Sequence, residues 1–365
     1  MTLSIPHAAA RPHHTAEGLP DWGLGPFVRP ASGNPVITPG ESLFDCPLTG
    51  APVAWEKLHT FNPAAIVRDG RVWLLYRAED DSGEMNIGGH TSRLGLAVSD
   101  DGIHFTRFPT PVVFPDQDAF TDLEWQGGCE DPRLVEAPDG RYILTYTMYS
   151  REHHSVRLGV AESWDLLHWT KRGYAFAQDL RWDSHRWSKS GGIVTSLQDG
   201  RLRAVRINGH YWMYWGEFGV NLAWSDNLLD WHPVPGVDGQ DLILPPRPGL
   251  FDSALAEGGP PPILTDRGIV VLYNGKNDAH DRTGDPTLPA GIYSGGQALF
   301  SANEPGRLLE RTTRPFFRPA ESWEKTGQYT DGTTFIEGLV FFQARWFLYY
   351  GCADSLVGVA ILEQA

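Results

Sequence analysis

The chain has 365 residues, 41% of them hydrophobic, and it carries a formal net charge of −15. This length suffices to bury a sizeable core, as two domains or as one large repeat fold. The negative balance argues against a nucleic-acid partner, because a phosphate backbone binds clustered positive charge, and it favours a neutral or cationic small ligand.

Composition predicts an all-β fold. The chain contains 14 tryptophans, 40 glycines and 28 prolines, which is typical of short strands joined by tight turns. Its three cysteines, Cys46, Cys129 and Cys352, are far apart, so they predict reduced thiols in a cytoplasmic protein and neither a disulfide framework nor a zinc site. Residues 1–20 lack a continuous apolar core, and no apolar run reaches membrane-spanning length, so neither a signal peptide nor a membrane partner is predicted.

The chain order predicts a repeat. Residues 1–25 are expected to form a flexible N-terminal segment, and residues 26–365 a single catalytic domain. In that domain a unit of short strands and glycine turns occurs five times, at a spacing of roughly 60 to 75 residues. The fifth copy stops one strand short, and residues 34–37 can supply the missing strand. This pattern predicts a five-bladed β-propeller; the alternative, two stacked β-sandwiches, does not call for five matched units.

Residues 127–133 are the most distinctive stretch, with two glycines and a cysteine followed by Glu130, Asp131, Pro132 and Arg133. Pro132 stiffens this turn, which can therefore aim one carboxylate inward. In a propeller the first strand of each blade lines a central channel, so these strands are expected to bring together Asn62, Asp131, Gly192, Glu257 and Asp331. A second ring is expected just past the second strands, from Arg77, Tyr149, Glu217, Asn274 and Asp354.

Four segments together resemble glycoside hydrolase family 130, which comprises five-bladed β-mannoside phosphorylases and β-1,2-mannosidases. They are Phe-Asn-Pro-Ala-Ala at 61–65, Tyr-Arg-Ala-Glu-Asp at 76–80, Gly-Cys-Glu-Asp-Pro-Arg at 128–133 and Gly-Gly-Pro-Pro-Pro-Ile at 258–263. The resemblance implies action on β-mannosides with inversion, and it implies that Asp131 is the proton donor. In the phosphorylases this proton is thought to travel through a sugar hydroxyl.

Two positions favour the hydrolase branch of the resemblance. Phosphorylases of the family usually carry His-Arg-Pro where this chain has Trp215, Gly216 and Glu217, and they usually carry glycine where it has Glu257. Two carboxylates beside a phosphate dianion cost several kcal/mol, whereas water is tolerated and can be deprotonated by one of them. We therefore expect hydrolysis, and the resemblance favours the β-1,2 linkage.

The inverting template predicts an acid and a base on opposite faces of the sugar, about 6.5 to 9.5 Å apart. We assign Asp131 as the acid and Glu217 with Glu257 as the base pair, in which mutual repulsion should raise one pKa. A rival assignment makes one glutamate the acid and leaves Asp131 to bind mannose hydroxyls. Residues expected to bind substrate, each with a structural role as its alternative, are Asn62, Arg77, Arg93, Glu130, Arg133, Lys189, Asn274 and Asp331.

Other functions stay open. A phosphorylase could hold phosphate with Lys189, Arg157, His185 and Arg186, and a sugar-binding propeller without catalysis would leave the carboxylates incidental. No cofactor is predicted, and no metal either, since His90 has no partner at ligand spacing in the sequence. The expected partner is a small carbohydrate, and the sequence leaves a homo-oligomer open.

Overall fold

The computed structural model describes residues 19–179, 187–235, 242–279 and 283–363. Regular structure in these ranges is almost entirely β-strand, with one short helix, α1 (Thr121–Glu124), and one 3₁₀ turn (Ser322–Glu324). The predicted all-β class is confirmed. Within these ranges, neither helical segment has the length or the apolar character needed to cross a bilayer.

The first unit follows a short hairpin that the sequence analysis does not predict, β1 (Leu43–Cys46) and β2 (Ala51–Ala54). Its four strands are each antiparallel to the one before: β3 (His59–Arg68), β4 (Arg71–Glu79), β5 (Ser92–Ser99) and β6 (Thr106–Arg107). Asp69 and Gly70 join β3 to β4 with φ of 51° and 70°. Two consecutive positive φ values are typical of a tight hairpin turn, which explains the Asp-Gly sequence.

The second unit repeats this order as β7 (Gly128–Glu136), β8 (Tyr142–Ser150), β9 (Ser155–Ser163) and β10 (Thr170–Tyr174). The third unit contains an additional hairpin inserted after its first strand. Its strands are β11 (Gly192–Ile193), β12 (Thr195–Gln198), β13 (Arg201–Ala204), β14 (Arg206–Ile207), β15 (His210–Trp215), β16 (Asn221–Ser225) and β17 (His232–Pro233). Here β11, β15, β16 and β17 form the antiparallel unit, and β12 pairs with β13.

The fourth unit contains β18 (Leu255–Gly258), β19 (Ile263–Leu264), β20 (Ile269–Lys276), β21 (Tyr293–Phe300) and β22 (Leu308–Arg311). The fifth unit contains β23 (Thr334–Phe342), β24 (Arg345–Cys352) and β25 (Leu356–Glu363). The N-terminal chain lies along β25, as expected: Val28 pairs with Ile361 and Ile37 pairs with Val357. The amide side chain of Asn34 also bonds both backbone groups of Val359.

Hydrophobic clusters in the described ranges lie between successive units. One joins the first unit to the second through Leu75 and Leu144, and others join the second to the third, the third to the fourth and the fourth to the fifth. A further cluster packs Leu74 of the first unit with Phe347 of the fifth. Each unit therefore packs against the next, and the fifth unit packs against the first.

Part of the N-terminal segment that was expected to be flexible contacts the fourth unit. The indole Nε1 of Trp22 donates to Glu310 Oε2 at 2.7 Å, and the Leu24 amide donates to Gln297 Oε1 at 2.9 Å. Residues 1–18 lie outside the described ranges. The three cysteines are free and buried.

Candidate active site

Asp131 and Asn62 lie at matching irregularities of two neighbouring first strands. The register of β7 against β8 shifts between Glu130 and Arg133, and that of β3 against β4 shifts between Phe61 and Pro63. At both sites the residue before the proline is buried and has φ of 46°. A bulge re-aims the side chain of its extra residue. The Nδ2 of Asn62 consequently donates to Asp131 Oδ1 at 2.8 Å.

Two cations hold the carboxylate of Asp131. Lys189 Nζ lies 3.0 Å from Oδ2, and Arg77 Nη1 lies 3.1 Å from Oδ1. Burial acts to raise the pKa of Asp131, but Lys189 and Arg77 outweigh it and the pKa falls well below the usual range. Asp131 is therefore ionised at neutral pH.

Glu257 lies on the other side of Lys189. Lys189 Nζ is 3.4 Å from Glu257 Oε1, and Ser190 Oγ donates to the same oxygen. Burial raises the pKa of Glu257 to about 7, an effect that Lys189 opposes and Glu217 increases. This carboxyl can therefore exchange a proton near neutral pH.

Glu217 is placed beside Glu257 by backbone contacts among three segments. The Gly216 amide donates to the Lys189 carbonyl at 2.9 Å, and the Gly258 amide donates to the Gly216 carbonyl at 3.3 Å. A Cβ on residue 258 would lie 2.6 Å from the carbonyl oxygen of Ser190, so only glycine lets these two backbone segments come this close. Phe218 and Ala256, the neighbours of Glu217 and Glu257 in the chain, form a parallel β-bridge. The structure thus brings Asp131, Glu217, Glu257 and Lys189 together.

The side chain of Glu217 is half-buried, and its Oε2 accepts a hydrogen bond from Trp187 Nε1 at 2.8 Å. Trp187 is 47% exposed and the neighbouring Phe218 is 62% exposed, so two aromatic faces border this part of the site. Trp215, two residues before Glu217, is buried against Phe176 with ring centroids 4.8 Å apart. It therefore belongs to the core.

Arg77 also binds Glu79 and Glu130, at 2.7 and 2.8 Å. Burial raises the pKa of Glu130 to about 7; the positive charge of Arg77 opposes this rise and the negative charge of Asp131 adds to it. Asp354 is half-buried nearby, and burial raises its pKa to about 6, with Arg77 opposing and Asp131 adding to the rise. Acidic groups thus outnumber the cations around Arg77.

Three predicted substrate ligands have structural partners within the protein. Arg93 pairs with Asp80 at 2.6 Å and is 2% exposed. The amide of Asn274 accepts from the Ile336 amide and donates to the Ile336 carbonyl, so its side chain is held against the fifth unit. The guanidinium of Arg133 donates to three backbone carbonyls, those of residues 131, 258 and 259.

Asp331 lies at the protein surface. It is exposed on the turn before β23, where it lies against Gly291. The bulge of β23 comes later, between Ile336 and Gly338, and it carries the fully buried Glu337, which lies 2.7 Å from Arg133 Nη1. The sequence analysis missed Glu337, because the turn residues before a strand do not reveal where its bulge falls. Of the other phosphate candidates, His185 and Arg186 lie outside the described ranges.

A sequence model described as β-1,4-mannooligosaccharide phosphorylase matches residues 41–364. The chain belongs to glycoside hydrolase family 130. It is 32% identical over 312 residues to a 1,2-β-oligomannan phosphorylase of Thermoanaerobacter sp. (strain X514), covering 85% of this chain and 92% of that one. It is 27% identical over 317 residues to a β-1,2-mannobiose phosphorylase of the same organism, again covering 85% and 92%.

Solved structures of the family are more similar. One is 51% identical with a TM-score of 0.91, and the match covers 94% of this chain and 96% of that one. Its description states that the GH130 family of mannoside phosphorylases contains glycoside hydrolases that target β-1,2 mannosidic linkages in Candida mannan. A glycosyl hydrolase from Bacteroides ovatus is 52% identical with the same TM-score, covering 94% and 95%. The names of the two relatives and the description of the first structure agree on β-1,2-mannosides.

Proposed function

We propose that this chain hydrolyses β-1,2-mannosidic linkages of mannosides and manno-oligosaccharides with inversion. The observation that carries the proposal is the placement of Glu217 beside Glu257, with Lys189 between Glu257 and Asp131. This puts a carboxylate pair and a separate carboxylate around one cation. An inverting glycosidase needs carboxyl groups in two such places, one for water and one for the departing oxygen.

Charge favours water over phosphate as the nucleophile. Lys189 is already shared by Asp131 and Glu257, and Arg77 is shared by three carboxylates. A phosphate dianion would therefore compete with buried carboxylates for both cations, and it would lie beside Glu217 and Glu257. Neutral water has neither cost, and a base with a pKa near 7 is well suited to deprotonate it.

The reaction then follows the inverting template. Water attacks the anomeric carbon while the Glu217 and Glu257 pair takes its proton. The glycosidic bond breaks on the opposite face, and the departing oxygen takes up a proton. Asn62, Arg77 and Lys189 hold Asp131 in position, and the half-buried Asp354 is suited to bind a sugar hydroxyl. The released mannose is initially the α anomer.

Asp131 is proposed to supply the proton, through a mannose hydroxyl, as the resemblance to the family implies. This role has a condition, because the contacts of Asp131 with Lys189 and Arg77 keep its carboxyl ionised. The sugar must separate Lys189 from Asp131, which would raise the pKa of Asp131 and let it take up a proton. If the contact persists, Asp131 instead binds mannose hydroxyls, which is the rival assignment.

The proposed linkage and architecture rest on separate support. The β-1,2 linkage is supported by the names of two curated relatives and by the description of one similar structure. A five-bladed propeller is supported by the five antiparallel units and by the clusters that join each unit to the next and the fifth to the first. In this arrangement the bulged first strands face one shared channel.

A β-mannoside phosphorylase is the second candidate. The names of the curated relatives favour it over hydrolysis, since each is a phosphorylase. Among the predicted phosphate ligands, Arg157 is buried and donates to the Val156 carbonyl. Hydrolysis is ranked first because a phosphate dianion would compete with buried carboxylates for Lys189 and Arg77 and would lie beside Glu217 and Glu257.

Product analysis tests the two candidates. The protein is incubated with β-1,2-mannobiose, and in parallel with β-1,4-mannobiose, each with and without inorganic phosphate. Hydrolysis predicts free mannose, first as the α anomer by NMR, at a rate that phosphate does not increase. Formation of mannose 1-phosphate that depends on added phosphate would overturn the hydrolase and support the phosphorylase.

A further inference from the structure

Three side chains of the types that bind metals lie next to Arg77 and its carboxylate partners, and one of the three, Glu79, is itself such a partner. None of the three takes part in the bond changes proposed above. His59 begins β3, Glu79 ends β4 directly opposite it, and His90 precedes β5. One ligand atom from each of the three lies within 4.8 Å of the others. Residues 31 positions apart in the chain are thus brought together by one β-hairpin and the segment that follows it.

His90 is oriented as metal-binding histidines are. Its Nδ1 lies 3.0 Å from the Ser82 carbonyl oxygen, which can only accept a hydrogen bond. Nδ1 therefore carries the proton, and Nε2 keeps a lone pair for another partner. Metal-binding histidines commonly donate the N–H of one ring nitrogen to a backbone carbonyl while the other nitrogen binds the metal.

His59 supplies an independent observation. Its Nδ1 is buried and has no hydrogen-bond partner among the residues that the structure describes. A buried polar atom without a partner is costly, and a bound ion would remove that cost. The rings of His59 and His90 lie 6.1 Å apart, centroid to centroid, and are tilted by 58°, so a bound ion could bridge them.

Glu79 completes the group and is 1% exposed. Its Oε1 accepts from Arg77 Nη2 and from Ser92 Oγ, and its Oε2 accepts from Gln328 Nε2 at 3.0 Å. A carboxylate has about four acceptor sites, two on each oxygen, so Oε2 retains acceptor capacity. The acids around Arg77 exceed the nearby cations, as described above, and this excess of negative charge favours an added cation.

We propose that His59, Glu79 and His90 form a binding site for a divalent transition-metal ion of the Zn²⁺ type. Two imidazoles and one carboxylate suit zinc, whereas Ca²⁺ and Mg²⁺ prefer oxygen ligands alone. Bonds of about 2.0–2.2 Å place two ligand atoms at most about 4.4 Å apart, so any pair near the 4.8 Å limit must draw closer when the ion binds. The bound ion would fasten the segment between β4 and β5 to the start of β3.

Calorimetric titration of metal-stripped protein with ZnCl₂ tests the site, using wild-type, His59→Gln and His90→Gln proteins. The matched control is His168→Gln, since the His168 side chain is 89% exposed and bonds only its neighbour Asp165. A further control replaces His13 and His14, because adjacent histidines can bind zinc on their own. We expect one zinc equivalent that both site variants lose and both controls keep, and we expect CaCl₂ not to displace it.

A second measurement covers the case in which a site variant fails to fold, which circular dichroism would reveal. Wild-type crystals soaked in ZnCl₂ are measured at the zinc absorption edge, and an anomalous peak is expected between His59, Glu79 and His90. Zinc located only at other histidines would overturn the proposal. So would saturable binding that is unchanged in both folded site variants, or no saturable binding to the wild-type protein.

Discussion

Asn62 donates a hydrogen bond of 2.8 Å to Asp131, and the two residues occupy the same bulge position in consecutive units. Each has φ of 46° and each precedes a proline. A repeat of the backbone thus juxtaposes an amide with a carboxylate across 69 residues of chain. The amide satisfies one oxygen of a carboxylate whose other oxygen faces Lys189.

Two substitutions of Asn62 distinguish the contribution of its side-chain hydrogen bond from that of its positive φ. Asn62→Gly and Asn62→Ala both remove the amide, so both should lower kcat/KM by roughly ten- to a hundredfold, as expected for a hydrogen bond to a charged group. Only alanine is strained at positive φ, by about 1–2 kcal/mol. Thermal unfolding should therefore show Asn62→Ala as the less stable of the two. Equal stability would contradict the strain argument, and unchanged kinetics would remove the amide from catalysis.

Asp131→Asn tests the proton-donor role. We expect kcat/KM on β-1,2-mannobiose to fall by roughly 10²–10⁴-fold, the usual contribution of a general acid. An aryl β-mannoside with an acidic phenol needs little proton donation, so the variant should retain a much larger share of wild-type activity on it. Parallel steady-state kinetics on the two substrates measure the difference. Equal losses on both would favour the rival assignment, in which Asp131 only binds mannose hydroxyls.

Glu217→Gln and Glu257→Gln, made separately, should each lower hydrolysis by at least roughly 10²-fold. Each substitution keeps the shape of the side chain but removes one carboxylate from the pair that acts on water. Glu304→Gln is the control, because its carboxylate forms an exposed ion pair with Arg307. Single-turnover rates and melting temperatures should be measured together. Near-normal rates in both site variants would remove the base assignment.

The pKa of Glu257 predicts the acid limb of the pH profile. Because a base must be ionised, kcat/KM should fall as the pH drops below about 7. The hydroxyl of Ser190 donates to Glu257 and helps to lower that pKa, so Ser190→Ala should move the limb to higher pH. The pH dependence of kcat/KM in both proteins measures the shift. A limb that stays in place or moves to lower pH would show that another group controls it.

Sequence reasoning recovered the repeat and most of the central residues for a physical reason. Glycine turns and apolar strands are local features, so the five units and the contact of residues 34–37 with the last strand could be predicted. Asp131, Glu217 and Glu257 could be predicted as neighbours once the units were aligned. Lys189 is predicted only as one of the residues that bind substrate. The hairpin of β12 and β13 carries no feature that distinguishes it from the strands of a unit.

Other contacts could not be predicted, because they join side chains to partners in another unit. The amide of Asn274 is used by the backbone of Ile336, 62 residues away. The bulge of β23 places Glu337 inward and leaves Asp331 in solvent. Sequence position alone does not determine either outcome, because both depend on register and on which neighbouring unit packs against the strand.

Arg133 provides a prediction about stability. It is 2% exposed, lies 2.7 Å from Glu337, and donates to three backbone carbonyls. Arg133→Met would leave these acceptors buried without a donor, so it should lower the free energy of unfolding by about 3–5 kcal/mol. Arg345→Met, which removes a 3.4 Å contact to the 70% exposed Glu363 side chain, should cost under about 1 kcal/mol. Urea unfolding of both variants checks the difference, and similar losses would mean that the buried contacts of Arg133 contribute no more than a surface pair.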